Sequence, residues 1–416
     1  MRAVPDPRCG RETKHDHAEV LVCLVAGFLA GRTTIRRSLK WCEKHLTELR
    51  ETLPLKNGIA SPSTACRILS RIDEELFALE FMEWAGEIVR TEGTHLAIDG
   101  KALRGAMEKV KNFRAPMVLN VIDAVTRLVV AQMPIRNKDC EITEIPRLLK
   151  LLDIQGSTVT TDAVGTQTRI MEQILSQKGH FVLMVKKNQP QSYDEIMKYF
   201  GEMSEDYKKM KEDKNYRPRN PDMQEKYEEV CQKERNRDRK EYRWYSACTE
   251  NGLLTRTQKE WPFVKTVGLA RQIRIPIERD AEGNDITPDM EPFLEKGSRR
   301  SPMPVCDERV GKDIQRTGMI SDMELTAEEM GRIKREHWSV ENSLHHVLDD
   351  TFREDRSPAK KSKNNLALIR KFANNILRIA MLAGDCNGIM TEAMDEFNDD
   401  PHLRKKYVFN GIDSFY

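Results

Sequence analysis

The sequence predicts an α/β protein, a mixed β-sheet flanked by helices, with a helical N-terminal region and an insertion before its last helices. Three observations predict it. Residues 1–88 carry helical periodicity and helix-start signals. Residues 94–187 switch to short β-like runs, the later ones separated by helical patterns. A capped amphipathic helix then begins only at Thr326, beyond a long charged stretch.

In the N-terminal region the most apolar stretch is 20–30, too short to span a bilayer and therefore expected as a buried helix. Asp6, Glu12, Asp16 and Glu19 precede it or open it, which argues against a signal peptide. Residues 33–49 follow on a loose helical period, with Ile35, Leu39, Trp41, Leu46 and Leu49 apolar. A turn is expected at 53–58. Ser61-Pro62 then opens a helix with proline at a tolerated first position, and Cys66, Leu69, Ile72, Leu76 and Leu79 would form its buried stripe.

The β-like runs are 95–99, 117–122, 128–133, 158–162 and 181–186, with helical patterns at 141–152 and 165–176. Three hairpin-linked strands followed by helical crossovers give a mixed sheet. Residues 195–243 are crowded with charges of both signs, 242–247 and 263–269 read as strands, and 276–317 read as long loops. Thr326 and Glu329 form a capping box. Met330, Ile333, Val340, Leu344 and Leu348 follow at helical spacing, and a second helix, basic on one side, is expected over 363–382. The tail after Gly384 is acidic and ends in aromatics.

Composition excludes little. Hydrophobic residues are 39% and charged residues 32%, with a formal net charge of +2, so any nucleic-acid surface must come from local charge. The nine cysteines form no C-x-x-C pair, which argues against a zinc ribbon or redox motif and fits free thiols in a reducing cytoplasm.

Three carboxylates stand out. Asp99 ends one β-like run and precedes Gly100-Lys101; Asp162 ends another and precedes Ala163-Val164-Gly165; Glu341 lies inside the amphipathic helix. Mg²⁺ binds few protein carboxylates and takes its other oxygens from phosphate and water. Two aspartates and one glutamate from distant elements are a minimal set for two such ions in phosphodiester chemistry. Taken singly, an aspartate at a strand end is more often a turn residue or a helix cap.

The wording around these positions adds to the pattern. Ala97-Ile98-Asp99-Gly100-Lys101-Ala102-Leu103-Arg104-Gly105, Thr161-Asp162-Ala163-Val164-Gly165, Val185-Lys186-Lys187-Asn188-Gln189-Pro190 and His337-Trp338-Ser339-Val340-Glu341-Asn342 resemble the bacterial insertion-sequence DDE transposases, in particular the H-repeat-associated branch. Residues 5–8, the helical region to Trp84, and 366–378 resemble that branch's terminal regions.

The resemblance implies an RNase H-like core with Asp99, Asp162 and Glu341 as catalytic ligands of two Mg²⁺ or Mn²⁺ ions. It also implies hydrolysis at element ends, then attack of the freed 3′-OH on double-stranded target DNA. The corresponding domains are 1–88 (helical, DNA-end binding), 89–190 (first part of the core), 191–325 (insertion), 326–385 (C-terminal helices) and 386–416 (tail). A homodimer, no membrane partner, and a cytoplasmic, nucleoid-associated location are expected with it. His346, Asp350, Lys187, His337 and 237–241 depart from the branch's wording, and none of them removes a ligand.

Lys101 and Arg104 are candidates for phosphate contact, as are Arg353, Lys361 and Arg370 within a second basic concentration. Lys186, Asn188 and Gln189 would hold DNA or support the site. Trp338 would stack on a base or, as its helical position favours, pack the core. His345, four residues after Glu341, lacks a third ligand for zinc. A nuclease without strand transfer, and a decayed, non-catalytic DNA-binding protein, remain alternatives at this stage.

Overall fold

A computed structural model describes residues 1, 3–8, 13–103, 115–137, 140–236, 238–249, 259–287, 306–307, 312–357 and 361–409. The chain divides into two units, Met1–Ser157 with Glu336–Tyr416, and Thr158–Arg335.

The first unit opens with α1 (His17–Leu29), started by Asp16, whose carboxylate accepts from the Glu19 amide. It is apolar nearly all round and buried, as a core helix must be. Helices α2 (Ile35–Lys44) and α3 (Leu46–Leu49) follow. Ser61 caps α4 (Pro62–Leu69), and Asp73 caps α5 (Glu74–Ile88) by accepting from the amides of Glu75 and Leu76.

This second cap corrects the single stripe expected from 66 to 79. A new helix start resets the phase, so α5 buries Phe77, Ala78 and Phe81, whereas Leu76 and Leu79 are 46% and 43% exposed. Cys66 is exposed too. Phe77, Phe81 and Trp84 close on Phe372, with ring centroids 6.1, 4.8 and 4.6 Å away.

Strands β1 (His95–Ala102), β2 (Met117–Asp123) and β3 (Val129–Ile135) form an antiparallel meander, and α6 (Glu141–Leu149) comes next.

The second unit contains β4 (Thr158–Thr161), α7 (Thr168–Ser176), β5 (His180–Val185), α8 (Pro190–Glu212), α9 (Pro221–Gln224), β6 (Tyr227–Arg235), β7 (Arg239–Cys248) and β8 (Thr266–Pro276). A short hairpin, β9 (Cys306–Asp307) with β10 (Lys312–Asp313), precedes β11 (Gln315–Ser321). The strand order is β4-β5-β11-β8-β7-β6, with β4 and β5 parallel and the other pairs antiparallel. The expected loop at 276–317 is therefore interrupted by β11, which lies hydrogen-bonded between β5 and β8. Residues 288–305 and 308–311 of that stretch lie outside the described residues. The charged stretch 195–243 contains most of α8 and all of β6, neither of which its composition had indicated.

Helix α10 (Ala327–Val340) starts as its capping box requires. The Thr326 amide donates to Glu329 at 2.8 Å, and the Glu329 amide donates to the Thr326 hydroxyl at 3.2 Å. Met330 and Ile333 pack with Tyr245, Ala270 and Met319 on the sheet. Gly331 permits that approach: a Cβ there would lie 2.4 Å from the Tyr245 ring.

Beyond Val340 the helix widens into two π-helical turns, Glu341–His345 and Val347–Thr351. Helix α11 (Lys363–Leu382) is buried almost along its length. Its Asn365 amide donates to the carbonyls of Leu69 and Ile72, and Asn375 exchanges hydrogen bonds with the Val129 backbone. This corrects the amphipathic helix expected there, because Lys363, Arg370, Lys371 and Arg378 all lie inside. Helices α12 (Met390–Asp399) and α13 (Pro401–Arg404) close the unit. Among the described residues no helix is long and apolar enough to cross a membrane.

Candidate active site

Asp99 lies within β1, not at its end, because pairing with β2 continues through Ala102. It sits opposite Asn120, so the two side chains share a face. Asn120 is fully buried, and neither atom of its side-chain amide has a hydrogen-bond partner. His345 Nδ1 lies 3.4 Å from Asp99 Oδ2, and its Nε2 is likewise buried and unpartnered. Burial, reinforced by the Lys101 and Lys371 charges, pushes the His345 imidazole down to about 3, so it is neutral beside the carboxylate. On the other face of β1, Gly100 leaves room for Glu141: a Cβ at position 100 would lie 2.2 Å from Glu141 Oε1.

Glu341 opens the π-helical turn that His345 closes. Its side chain is exposed. The segment carrying Glu341 thus approaches Asp99 at His345, one wide turn along.

Lys101, two residues along β1 from Asp99, is buried. Its ammonium pairs with Asp349 at 2.7 Å and with Glu354 at 2.9 Å. Burial opposes the charge, but Glu354 and Asp349 outweigh it and hold the lysine above its ordinary value. Arg370 is 2% exposed, with its guanidinium 3.9 Å from Glu354 and over the Phe28 ring. Burial drives the neighbouring Lys371 down to about 7. Burial alone would raise Glu354, yet Lys101, Lys371 and Arg370 hold its carboxyl at about 2. Lys101 and Arg370, expected at phosphates, are therefore members of a buried charge cluster. Arg104 lies outside the described residues.

In the second unit, Asp162 follows β4 and precedes a short 3₁₀ turn, Ala163–Gly165. Its carboxylate makes no cap hydrogen bond; it accepts from the Lys186 ammonium at 2.5 Å. Asn188 and Gln189 donate to the Ala163 carbonyl at 2.9 and 3.1 Å, and Gln189 also to Thr166 at 2.9 Å. They hold the backbone that follows Asp162. Lys334 lies in the same positive surroundings; burial, then Lys186, Arg243 and Arg274, bring it down to about 8 against the pull of Asp162.

Trp338 is 40% exposed, contrary to the packing that its helical position favoured. Arg353 and Lys361 are exposed. Among the described residues, no group of three or more His, Cys, Asp or Glu is arranged to hold a metal ion. Sequence reasoning missed Glu354 and the burial of Lys371. The sequence held no signal for that burial, because Arg370, Lys371, Asn374, Asn375 and Arg378 recur on one side of α11 as in a solvent-facing stripe.

A family model described as Transposase DDE domain matches residues 90–373, and one described as DDE_Tnp_1-associated matches 1–85. The chain belongs to the DDE transposase family. "Putative transposase YncI" of Escherichia coli O157:H7 is 27% identical over 94% of this chain and 87% of its own. "H repeat-associated putative transposase YhhI" of Escherichia coli K12 is 28% identical over 90% of this chain and 88% of its own. Among solved structures, a piggyBac transposase synaptic complex with hairpin DNA aligns over 95% of this chain and 73% of its own, at 12% identity and TM-score 0.40. At that score the likeness is too loose to carry a fold assignment. Asp99, Asp162 and Glu341 all have numbers within the matched residues 90–373.

Proposed function

We propose that this transposase cleaves DNA at the ends of its element and joins the freed 3′-OH to target DNA. Asp99, Asp162 and Glu341 would be the catalytic carboxylates. The observation that carries the reading is the approach of His345, on the Glu341 turn, to Asp99 inside β1. An RNase H-like core is supported by the element order: an antiparallel meander, then α6, β4, α7 and β5, with β4 and β5 parallel.

The donors fit a hard divalent cation. All three are carboxylates, the unpartnered Asn120 amide and His345 Nε2 leave hydrogen-bonding capacity beside Asp99, and Asp162 already attracts an ammonium. Mg²⁺ takes few protein carboxylates and fills its remaining positions with phosphate and water oxygens, which suits a set of three. Asp99, Asp162 and Glu341 would hold two Mg²⁺ or Mn²⁺ ions, which when bound supply charge stabilisation at the attacking and leaving oxygens.

The chain's own residues prepare these positions. Neutral His345 approaches Asp99 without neutralising it. Asn188 and Gln189 fix the backbone that follows Asp162. Lys186 balances the Asp162 charge. A cytoplasmic, nucleoid-associated protein acting as a pair of copies on two DNA ends belongs to the same proposal.

Asp162→Asn is the direct test. Cleavage of an end-containing duplex in Mg²⁺ should fall roughly 100-fold or more, since each 1.4 kcal/mol of lost stabilisation is tenfold. Undiminished cleavage would remove Asp162 from the mechanism. Products with joined target strands, as opposed to cut ends alone, test the transfer step.

A further inference from the structure

Basic residues from two stretches of the sequence, around Arg36 and around Arg356, meet in the first unit. Together with α4 they enclose a cleft of about 740 Å³. Arg36, Arg37, Arg67, Arg353, Arg356 and Lys361 line it, and no lining residue is acidic. All six are exposed. No ion pair among the described residues takes up any of them.

Thr33, Thr34 and Ser357 add hydroxyl side chains to the lining, and Ile35, Pro62 and Leu366 give the cleft apolar surface. Arg67 also lines a second cleft, of about 490 Å³, with Lys14 and Arg71 and again no acidic residue. A chain with a net charge of only +2 has thus gathered cations from three separate stretches onto one surface.

We propose that this cleft receives the phosphate backbone of a DNA strand, with Arg67 on α4 as the ridge between two stretches of it. Six unpaired cations exceed what one phosphate needs, and they suit several phosphates in a row. Hydroxyls add neutral donors to phosphate oxygens, and the apolar surface suits the faces of deoxyribose. The positive track continues past Arg67 into the second cleft, which a small anion would not use. The proposal rests on the transposase reading for its choice of DNA, but it concerns a surface that contains none of the three carboxylates.

The test is fluorescence anisotropy with a labelled duplex across a salt series, using the full chain. Arg36→Gln, Arg37→Gln, Arg353→Gln and Arg356→Gln are combined in one variant. Arg90→Gln, Arg136→Gln, Lys150→Gln and Lys405→Gln, outside both clefts, are combined in a control with the same change of net charge. The cleft variant should bind roughly 100-fold more weakly, and its slope of log affinity against log salt should flatten by about 3 to 4. The control should follow the wild type.

Equal behaviour of the two variants would overturn the cleft while leaving DNA binding and the transposase reading intact. Wild-type protein that binds no duplex would overturn both. Inorganic phosphate at millimolar concentration should displace the duplex no better than chloride of equal ionic strength. Specific displacement by phosphate would reassign the cleft to a free anion. Asp99→Asn should keep wild-type affinity in metal-free buffer while losing cleavage, which separates this surface from the catalytic one.

Discussion

Glu354 shows how a residue with no part in the proposed chemistry is indispensable to its frame. Its carboxylate is the common partner of Lys101 and Arg370 in the interior of the first unit. Removing one partner of a buried pair is far costlier than the pair is stabilising, because a charge is left in low dielectric. Glu354→Gln is expected to lower stability by about 3–5 kcal/mol in chemical denaturation. The pH dependence follows from the same group. Its folded pKa of about 2 lies below the ordinary 4.5, so the unfolded chain binds the proton first as pH falls. This contribution is complete above about 4.5 and is lost progressively toward 2; the glutamine variant should lack that part of the acid slope. At this scale the sequence marked the carboxylates Asp99, Asp162 and Glu341 by their positions in the pattern. It could not mark Glu354, because a charge one residue from Arg353 and Asp355 reads as solvated until the fold buries it.

Among the elements, α10 is the one whose start was most legible, since a capping box is written in two side chains three residues apart. The ends of β1, β2 and β5 were likewise readable to within a few residues from their apolar runs. β6 was not, because as the last strand of its sheet it alternates charged and half-buried positions and never shows a continuous apolar run. The break between α4 and α5 was hidden for another reason: Asp73 is an unremarkable acid until its carboxylate is seen receiving two amides. α10 also depends on one small residue. Gly331→Ala places a methyl against the Tyr245 ring, and the helix must lift or the ring must turn. A loss of about 1–3 kcal/mol is expected, read from denaturant midpoints, with Tyr245→Leu in the same background relieving part of it.

For the whole molecule, the thiols provide a probe that requires no engineered label. Cys23, Cys42 and Cys248 are buried, whereas Cys66 and Cys231 are exposed. Brief alkylation of the native protein followed by mass spectrometry should modify Cys66 and Cys231 and spare the other three until denaturant is added. Modification of Cys23 or Cys42 at the same rate would mean that the α1–α2 packing opens readily. The division of the chain has a consequence for biosynthesis. The first unit is made of Met1–Ser157 and Glu336–Tyr416, and the second is inserted between them. Phe28 of α1 packs against Phe352 and under Arg370, partners that a ribosome makes more than 300 residues later. At roughly 5–20 residues per second, the apolar faces of α1 and α5 wait tens of seconds for α11. A nascent chain of this transposase therefore carries an unfinished core through most of its synthesis, and a prematurely terminated product is a substrate for chaperones and proteases and not a shorter enzyme.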